Sequence, residues 1–349
     1  MTKAAENRAL RFAFATALAL AMAYAFGFPL PFIAPLFVVF LSAMPGPPMG
    51  PKGLLGLLLI MIVSLTVGVL LIPLIRYYPV SAVLIVAVGL YFSMYLTLIN
   101  GKRLLGTFLT IGFTLISVAG SVDYLLATTV IKSLALGIFS AVLCQWIVYP
   151  FFPEQASTAA PQEPASGESQ SNWLAVRAML IVMPAYLLAL TNPSQYLMTI
   201  MKSVSLGQQT SAVDARHAGR ELIGSTFVGG IMAVVFWKLL SISPTLWMFS
   251  LWMFVFALYA SAKLYGFLKT RVAPSFWINA LVTMLILLGP AVEDSANGKD
   301  AFAAFFQRFA TFVAVTLYAW GALAFLESWR SRRLAKAKAS SSSTGSSVA

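Results

Sequence analysis

Two basic residues stand inside long apolar stretches of this sequence. Lys132 lies within residues 124–148, and Arg308 lies within residues 301–325, at similar depths from the start of each stretch. A charge inside a lipid bilayer costs free energy, so a residue of this kind faces the protein interior or a watery cavity. A cation in such a position can attract an anionic substrate.

Neither cation has an obvious carboxylate partner in the sequence. Asp123 and Asp300 precede them by nine and eight residues, and at about 100° per residue neither spacing aligns acid with base on a helix. We interpret both aspartates as helix caps. We therefore predict that Lys132 and Arg308 line a substrate path for anions. The alternative is that both side chains extend from about two turns down to the outer membrane surface.

A second group of charges stands just before the apolar stretch 222–240. It consists of five residues, Asp214, Arg216, His217, Arg220 and Glu221. On a helix, Arg216 and Arg220 form one stripe, and His217 and Glu221 form an adjacent one. Since a histidine beside a carboxylate can move protons near neutral pH, we interpret the group, with Lys52 of the first half, as a gate or coupling site. A solvated helix entry is the alternative.

Other kinds of chemistry are excluded by residue type. The chain has one cysteine, Cys144, so no disulfide forms within it, and one histidine, so a His-rich metal site cannot be built. The sequence contains no nucleophile elbow, phosphate-binding loop or nucleotide fingerprint. We therefore expect no enzyme activity, no cofactor and no metal.

Composition indicates a membrane protein. The chain is 60% hydrophobic and 10% charged, with a mean hydropathy of +0.86, whereas soluble domains carry about 25% charged residues. Apolar stretches of roughly 17–25 residues cross a bilayer as helices. We predict an all-α integral membrane protein with about 12 transmembrane helices, at residues 10–26, 31–44, 54–75, 80–99, 104–118, 124–148, 173–191, 196–206, 222–240, 246–265, 276–289 and 301–325.

The two halves of the chain match each other at a displacement of 168 residues. The matched positions are Lys52 with Arg220, Gly56 with Gly224, Leu90-Tyr91-x-Ser93 with Leu258-Tyr259-x-Ser261, and Arg103 with Arg271. Six crossings return the chain to its starting side, so we predict two parallel six-helix repeats, at residues 1–152 and 172–333. Residues 153–171, rich in Ser, Ala and Pro, form a flexible linker, and the Ser-rich residues 334–349 form a disordered tail.

The second span of each half is short and bordered by proline. Pro29, Pro31 and Pro35 flank or enter one of them, and Pro193 flanks the other. Interrupted helices at corresponding places in two halves indicate a transport site, although short tilted helices are the alternative. Close helix packing is predicted at glycines near the start of the third span of each half, namely Gly53, Gly56, Gly224 and Gly229.

The distribution of Lys and Arg sets the expected orientation. Five of the 23 fall on one side of the twelve-span scheme, namely Arg76, Lys132, Lys238, Lys299 and Arg308. The other 18, Lys202 among them, make the opposite side cytoplasmic, and that side holds both termini and the linker. The net charge of +12 then reflects topology and attraction to lipid headgroups. We expect no nucleic-acid binding, because basic and aromatic residues do not interleave along one soluble face.

These features resemble those of the fusaric acid resistance and aromatic acid exporter superfamily. The resemblance rests on Arg8 and Arg11 in the first helix, the Pro-edged second span, and the segment Arg220-Glu221-Leu222-Ile223-Gly224-Ser225-Thr226. That segment is similar to the family's Arg-x-x-Gly-Thr-x-x-Gly-like signature, with Gly229 as a further glycine and Ser225 where the family often has Thr. The first half departs further, with Lys52, Gly53 and Gly56. Larger members carry a cytoplasmic domain between the halves, where this chain has only residues 153–171.

The resemblance implies proton-driven export of small aromatic acids or related compounds across the bacterial inner membrane. It also implies a periplasmic adaptor protein and an outer-membrane channel as partners, and it is compatible with a homo-oligomer in contact with lipid. One objection comes from the sequence itself, since no acid falls in the middle of any predicted span to carry a proton.

Two alternatives to an exporter stay open. One is a non-transporting scaffold or assembly subunit of a secretion complex. The other is a facilitator-superfamily carrier, whose Gly/Asp/Arg loop signature is replaced here by Pro45-Gly46-Pro47-Pro48-Met49-Gly50-Pro51-Lys52.

Overall fold

The computed structural model describes residues 3–43, 46–98, 102–153, 168–209, 215–296 and 301–345, and all regular elements within these ranges are helical. The first half holds α1 (Lys3–Ala25), α2 (Ile33–Ser42), α3 (Pro51–Tyr77), α4 (Pro79–Leu98), α5 (Arg103–Ile111), a π-helical turn (Gly112–Ile116), α6 (Ser117–Val122) and α7 (Tyr124–Val148). The second half holds α8 (Glu168–Thr191), α9 (Pro193–Gln209), α10 (Ala215–Ile242), α11 (Leu246–Leu264), α12 (Pro274–Ala296) and α13 (Ala301–Gly345).

Within the described ranges, ten helices are long and apolar enough to cross a membrane. One of them, Leu104–Val122, combines α5, the π-helical turn and α6. The prediction of an all-α membrane protein is therefore confirmed. The expected count of twelve spans is not reached at this length, because α2 has 10 residues and α9 has 17.

Helix α2 is short because the chain before it cannot be helical. Gly27, with φ of 62°, ends α1 in the left-handed conformation that glycine allows, and Pro31 immediately precedes the turn into α2. Ile33, at the start of α2, packs against Gly137 in the middle of α7, where an added Cβ would lie 2.8 Å from its side chain. At the other end, Ser42 accepts a hydrogen bond from Gln145 near the end of α7. The helix thus fills only half the depth of the bundle.

Helix α9 also follows a proline signal but is longer. Pro193 occupies its first position, where the missing N–H costs no hydrogen bond. Its 17 residues extend about 25 Å, slightly less than the ~30 Å of a bilayer core.

We call the face of the bundle at which α1 begins the amino-terminal face, and the opposite one, at which α9 begins, the far face.

The two halves pack on each other reciprocally. The first span of each half contacts the fourth span of the other half. Thus α1 lies against α11, and α8 lies against α4. The second span of each half, which is short, contacts the fifth span of the other half. Thus α2 contacts α12, and α9 contacts α5 and α6. Each half therefore uses the same set of equivalent helices to contact the other half.

The outer surface of the bundle is aliphatic. Leu55, Leu59 and Leu70 on α3 and Leu84 on α4 are more than half exposed. Exposed aliphatic patches of this extent are rare on soluble monomers. In a bilayer these side chains contact lipid acyl chains, which agrees with the predicted lipid contact.

Two boundaries differ from the sequence expectation. Helix α13 continues to Gly345, although residues 334–349 were predicted to be disordered. Residues 334–339, with the sequence Leu-Ala-Lys-Ala-Lys-Ala, are strong helix formers, which explains the first part of the extension but not its continuation through the Ser-rich residues. Helix α8 begins at Glu168, inside the predicted linker 153–171, and residues 154–167 and 346–349 lie outside the described ranges.

Candidate functional site

The most unusual side chain in the bundle is that of Lys202, on α9. It is fully buried, with 0% of its surface exposed. Its ammonium group donates hydrogen bonds to Asn279 Oδ1 at 3.0 Å and to Thr283 Oγ1 at 2.7 Å. Both partners lie one turn apart on α12, the most enclosed of the ten membrane-length helices.

The partners of Lys202 belong to a wider polar network. Asn279 donates from Nδ2 to Ser225 Oγ on α10, and the Thr283 hydroxyl donates to the carbonyl oxygen of Asn279 at 2.6 Å. Next to Ser225 along α10, the Thr226 hydroxyl lies 3.3 Å from that of Thr316 on α13. Three helices, α10, α12 and α13, thus contribute hydroxyl or amide groups to the buried region that holds the Lys202 ammonium of α9.

No carboxylate forms an ion pair with Lys202 among the residues that the structure describes. The described ion pairs join Arg177 to Glu327 and Arg308 to Asp294. A buried charge held only by neutral dipoles is costly, since the protein does not restore the hydration that it lost. Such a lysine can bind an anion as the ammonium, or exchange a proton with the amine form.

A small cavity of about 60 Å³ is lined by chain neighbours of Lys202 and of its partner Thr283, although neither of these two residues lines it. Its wall includes Phe37 of α2, Met201 and Ser205 of α9, and Val282 of α12. Met201 is adjacent to Lys202 on α9, and Val282 is adjacent to Thr283 on α12. We call this space the central cavity. Both short helices line it, so it lies between the two halves.

The assignment of Lys202 to the cytoplasmic side, which follows from the distribution of basic residues, is wrong. The structure corrects this, because the side chain is in the interior. A signal was present in the sequence, since Lys202 fell inside the predicted span 196–206. Arg177 was counted on the same side and is likewise buried, at 4% exposure, where Glu327 lies 2.6 Å away.

Lys132 and Arg308 lie on helices with different neighbours. Lys132 is exposed on α7, which packs against α1, α2, α3 and α6, whereas α13, the helix of Arg308, packs against α8, α9, α10 and α12. The expectation that Arg308 lacks a carboxylate partner is wrong, since its guanidinium lies 2.7 Å from Asp294. Asp294 was overlooked because the predicted span ended at residue 289, whereas α12 continues to Ala296. The described structure therefore does not bring the two cations together.

The predicted gate at the amino-terminal face is only partly described. Asp214 lies outside the described residues, and so do the side chains of Arg216, His217 and Arg220 at the start of α10. Glu221 is half-buried and accepts a hydrogen bond of 3.5 Å from the Ser275 hydroxyl. The remaining member, Lys52, is exposed at the start of α3.

The four predicted packing glycines have different surroundings. An added Cβ at Gly229 would clash with the Ala280 carbonyl oxygen of α12, and one at Gly224 would lie 3.1 Å from the Phe276 ring. One at Gly53 would contact only the flexible Met49 side chain, and one at Gly56 would find nothing within 4 Å. Close packing of α10 on α12 explains why a residue without a side chain stands at position 229. No packed neighbour gives such a reason at Gly56.

The amino-terminal half of the chain resembles a known group of sequences. Residues 8–148 match a protein family of unknown function (DUF2955). The match runs from the first turns of α1 to the last residue of α7, and it is to a membrane-protein family. It does not extend to Lys202, and it does not establish the finer resemblance to the fusaric acid resistance superfamily. No curated protein and no solved structure matches the chain.

Proposed function

We propose that this protein is a secondary transporter that exports small anionic or aromatic compounds and is driven by the proton gradient. The observation that carries the proposal is Lys202, a fully buried cation whose hydrogen-bond partners, Asn279 and Thr283, are neutral. Ionisable groups inside a membrane bundle mark substrate or ion pathways by default. The central cavity, which is lined by Met201 and Val282, the chain neighbours of Lys202 and Thr283, supplies a place for a ligand between the two halves.

The reciprocal contacts of the two halves support the two-repeat architecture behind this proposal. Two parallel copies related by a pseudo-two-fold axis would produce the pairs α1 with α11 and α8 with α4. Transporters built from repeats hold their substrate at the repeat interface and alternate its access by moving one repeat against the other. Residues of both halves line the central cavity, those of the two short helices among them, which supports this arrangement.

The chemistry of the site favours an acid with an apolar body. An anionic oxygen would take over the donors of the Lys202 ammonium, and a charge-assisted hydrogen bond of this kind contributes about 1.5–3 kcal/mol. The wall of the central cavity is largely apolar, with Phe37 and Phe40 of α2 as its aromatic residues. Because ligand pockets measure about 300–1,000 Å³, loading the cavity of about 60 Å³ requires the lining helices to separate.

Everted membrane vesicles test the proposed activity directly. Vesicles with an acidic interior that contain the protein should accumulate radiolabelled benzenesulfonate, a permanently charged aromatic anion, and a protonophore should abolish the accumulation. Vesicles without the protein provide the control. Equal signals in both preparations would contradict export of this anion and favour the scaffold alternative.

We further propose that the protein lies in the bacterial inner membrane with both termini and residues 153–171 in the cytoplasm. The basic residues support this orientation, and moving Lys202 into the interior leaves their bias intact. A Ser166→Cys substitution in a Cys144→Ala background should react with an impermeant maleimide in everted vesicles and stay unlabelled in intact spheroplasts. Labelling in spheroplasts would reverse the orientation. An adaptor protein and an outer-membrane channel remain part of this proposal through the family resemblance only.

A further inference from the structure

A second, larger cavity opens at the far face of the bundle. Its volume is about 610 Å³. It lies between the far-face ends of α1, α10, α11 and α12, and its lining includes Tyr24, Trp237, Ser241, Thr245, Phe249 and Ser295. We call it the far-face cavity. It is distinct from the central cavity and shares no lining residue with it.

Two buried polar atoms beside the far-face cavity have no hydrogen-bond partner in the described structure. One is the Tyr24 hydroxyl and the other is Oε1 of Glu293. Tyr24 lines the cavity, and so do Val292 and Ser295, one residue before and two residues after Glu293 on α12. Glu293 itself is close enough to Tyr24 for the two side chains to interact electrostatically. A buried polar group without a partner is destabilising and is rare in native structures. A water molecule could form the missing hydrogen bond with either atom, and Oε1 of Glu293 could also take up a proton.

The charges around Glu293 do not balance. Asp294, the next residue of α12, is 9% exposed and is paired with Arg308 of α13 at 2.7 Å. On α10, Lys238 lies 5.0 Å from the Phe302 ring centre. One guanidinium thus compensates one of two adjacent carboxylates. Glu293, Asp294 and Arg308 together carry a net charge of −1 when Glu293 is ionised and none when it holds a proton, and Lys238 makes a separate contact with Phe302.

Glu293 is connected to the Lys202 site by a single helix. Asn279 and Thr283, which bind Lys202, lie on α12, and Glu293 follows Thr283 by ten residues. This separation is about 15 Å along the helix axis. A change of charge at the far-face end of α12 can therefore act on the helix that holds both partners of Lys202.

We propose that Glu293 is the proton-loading group of the exporter and that the far-face cavity is the path by which protons reach it. A hydronium ion in the cavity transfers its proton to Oε1 of the carboxylate and leaves as water, so Glu293 becomes a neutral carboxylic acid. The acid gives up the same proton to water on the other side after the bundle changes its access. This inference rests on the proposed function and supplies the carboxylate that the apolar spans did not reveal.

Reconstituted protein separates this inference from the function on which it rests. Counterflow, the exchange of labelled for unlabelled benzenesulfonate at equal pH, requires the substrate site and no proton coupling. Accumulation under a pH gradient requires the substrate site and also proton coupling. If the wild type shows no counterflow, the proposed function fails, and the inference fails with it.

Glu293→Gln keeps the size of the side chain and removes the exchangeable proton. We expect counterflow to continue at the wild-type rate and accumulation to fall to equilibrium. For one proton per substrate, the wild type can sustain about a tenfold concentration ratio per pH unit. Glu293→Asp, which keeps a carboxylate, should retain part of the accumulation and preserves the test should the glutamine variant not fold.

Asp123→Asn is the matched control. Asp123 is an exposed far-face carboxylate of the first half that accepts a hydrogen bond of 3.0 Å from the Leu125 N–H at the start of α7. Asparagine preserves this cap, so both assays should be unchanged. Full accumulation by Glu293→Gln, or loss of counterflow together with accumulation in folded protein, would each overturn the assignment of Glu293.

Discussion

Replacing Lys202 with methionine is expected to remove most of the affinity for aromatic anions while the protein still folds. Methionine has a similar length and no charge, so it fits the buried position and avoids the desolvation of an ammonium group. Asn279 and Thr283 each lose one donor, which costs about 1–3 kcal/mol per unsatisfied buried group. The substrate loses a charge-assisted hydrogen bond of about 1.5–3 kcal/mol, which corresponds to a factor of about 10–150 in affinity.

Titration calorimetry on purified protein would measure this effect with two ligands of similar shape. Benzenesulfonate carries the negative charge, and benzenesulfonamide lacks it. Lys202→Met should weaken binding of the sulfonate strongly and binding of the sulfonamide little. Lys202→Arg, which keeps the charge but changes its geometry, should retain part of the sulfonate affinity.

Lys132→Met is the matched control, because Lys132 is also a lysine within a membrane-length helix but is exposed on α7. The same replacement there should leave sulfonate affinity within about twofold, since Lys132 lies on the outside of α7, away from the buried region around Lys202, and distant sites act independently. A strong effect at Lys132 and none at Lys202 would reverse our assignment and restore the path predicted from the sequence. Equal losses for sulfonate and sulfonamide at Lys202 would instead indicate a structural role.

The difference between these two lysines shows what sequence reasoning could and could not reach. Hydropathy located each of the ten membrane-length helices found in the described ranges, and the prolines before Ile33 and at residue 193 predicted the two short ones. Asp123 was correctly interpreted as a cap. Each of these signals is local, because it depends on residues within a few turns of one helix.

The site depends on contacts between helices that are distant in sequence. Lys202 and Asn279 are 77 residues apart, and Lys202 and Thr283 are 81 apart. Counting basic residues per loop gives the side on which a charge lies and not its depth, so Lys202 was assigned to a surface. The pair of Arg308 and Asp294 was missed for a related reason, since hydropathy ended the span before the acid.

Gly229→Ala is expected to destabilise the protein, although alanine is the better helix former. The new Cβ would clash with the carbonyl oxygen of Ala280 and lie 2.7 Å from Thr283 Cβ, so α10 must move away from α12. Overpacking of this kind typically costs about 1–3 kcal/mol. Thermal unfolding in detergent can be monitored by the loss of folded protein in size-exclusion chromatography. The midpoint temperature of unfolding should be lower for this variant than for the wild type.

Gly56→Ala provides the contrast, because both glycines lie within the third helix of a half but only one is packed. At Gly56 nothing lies within 4 Å of the added Cβ, so the helix propensity of alanine should raise stability by up to about 1 kcal/mol. Equal midpoints for the two variants would contradict close packing of α10 on α12. Since Thr283 both contacts Gly229 and binds Lys202, Gly229→Ala should also weaken benzenesulfonate binding, whereas Gly56→Ala should not.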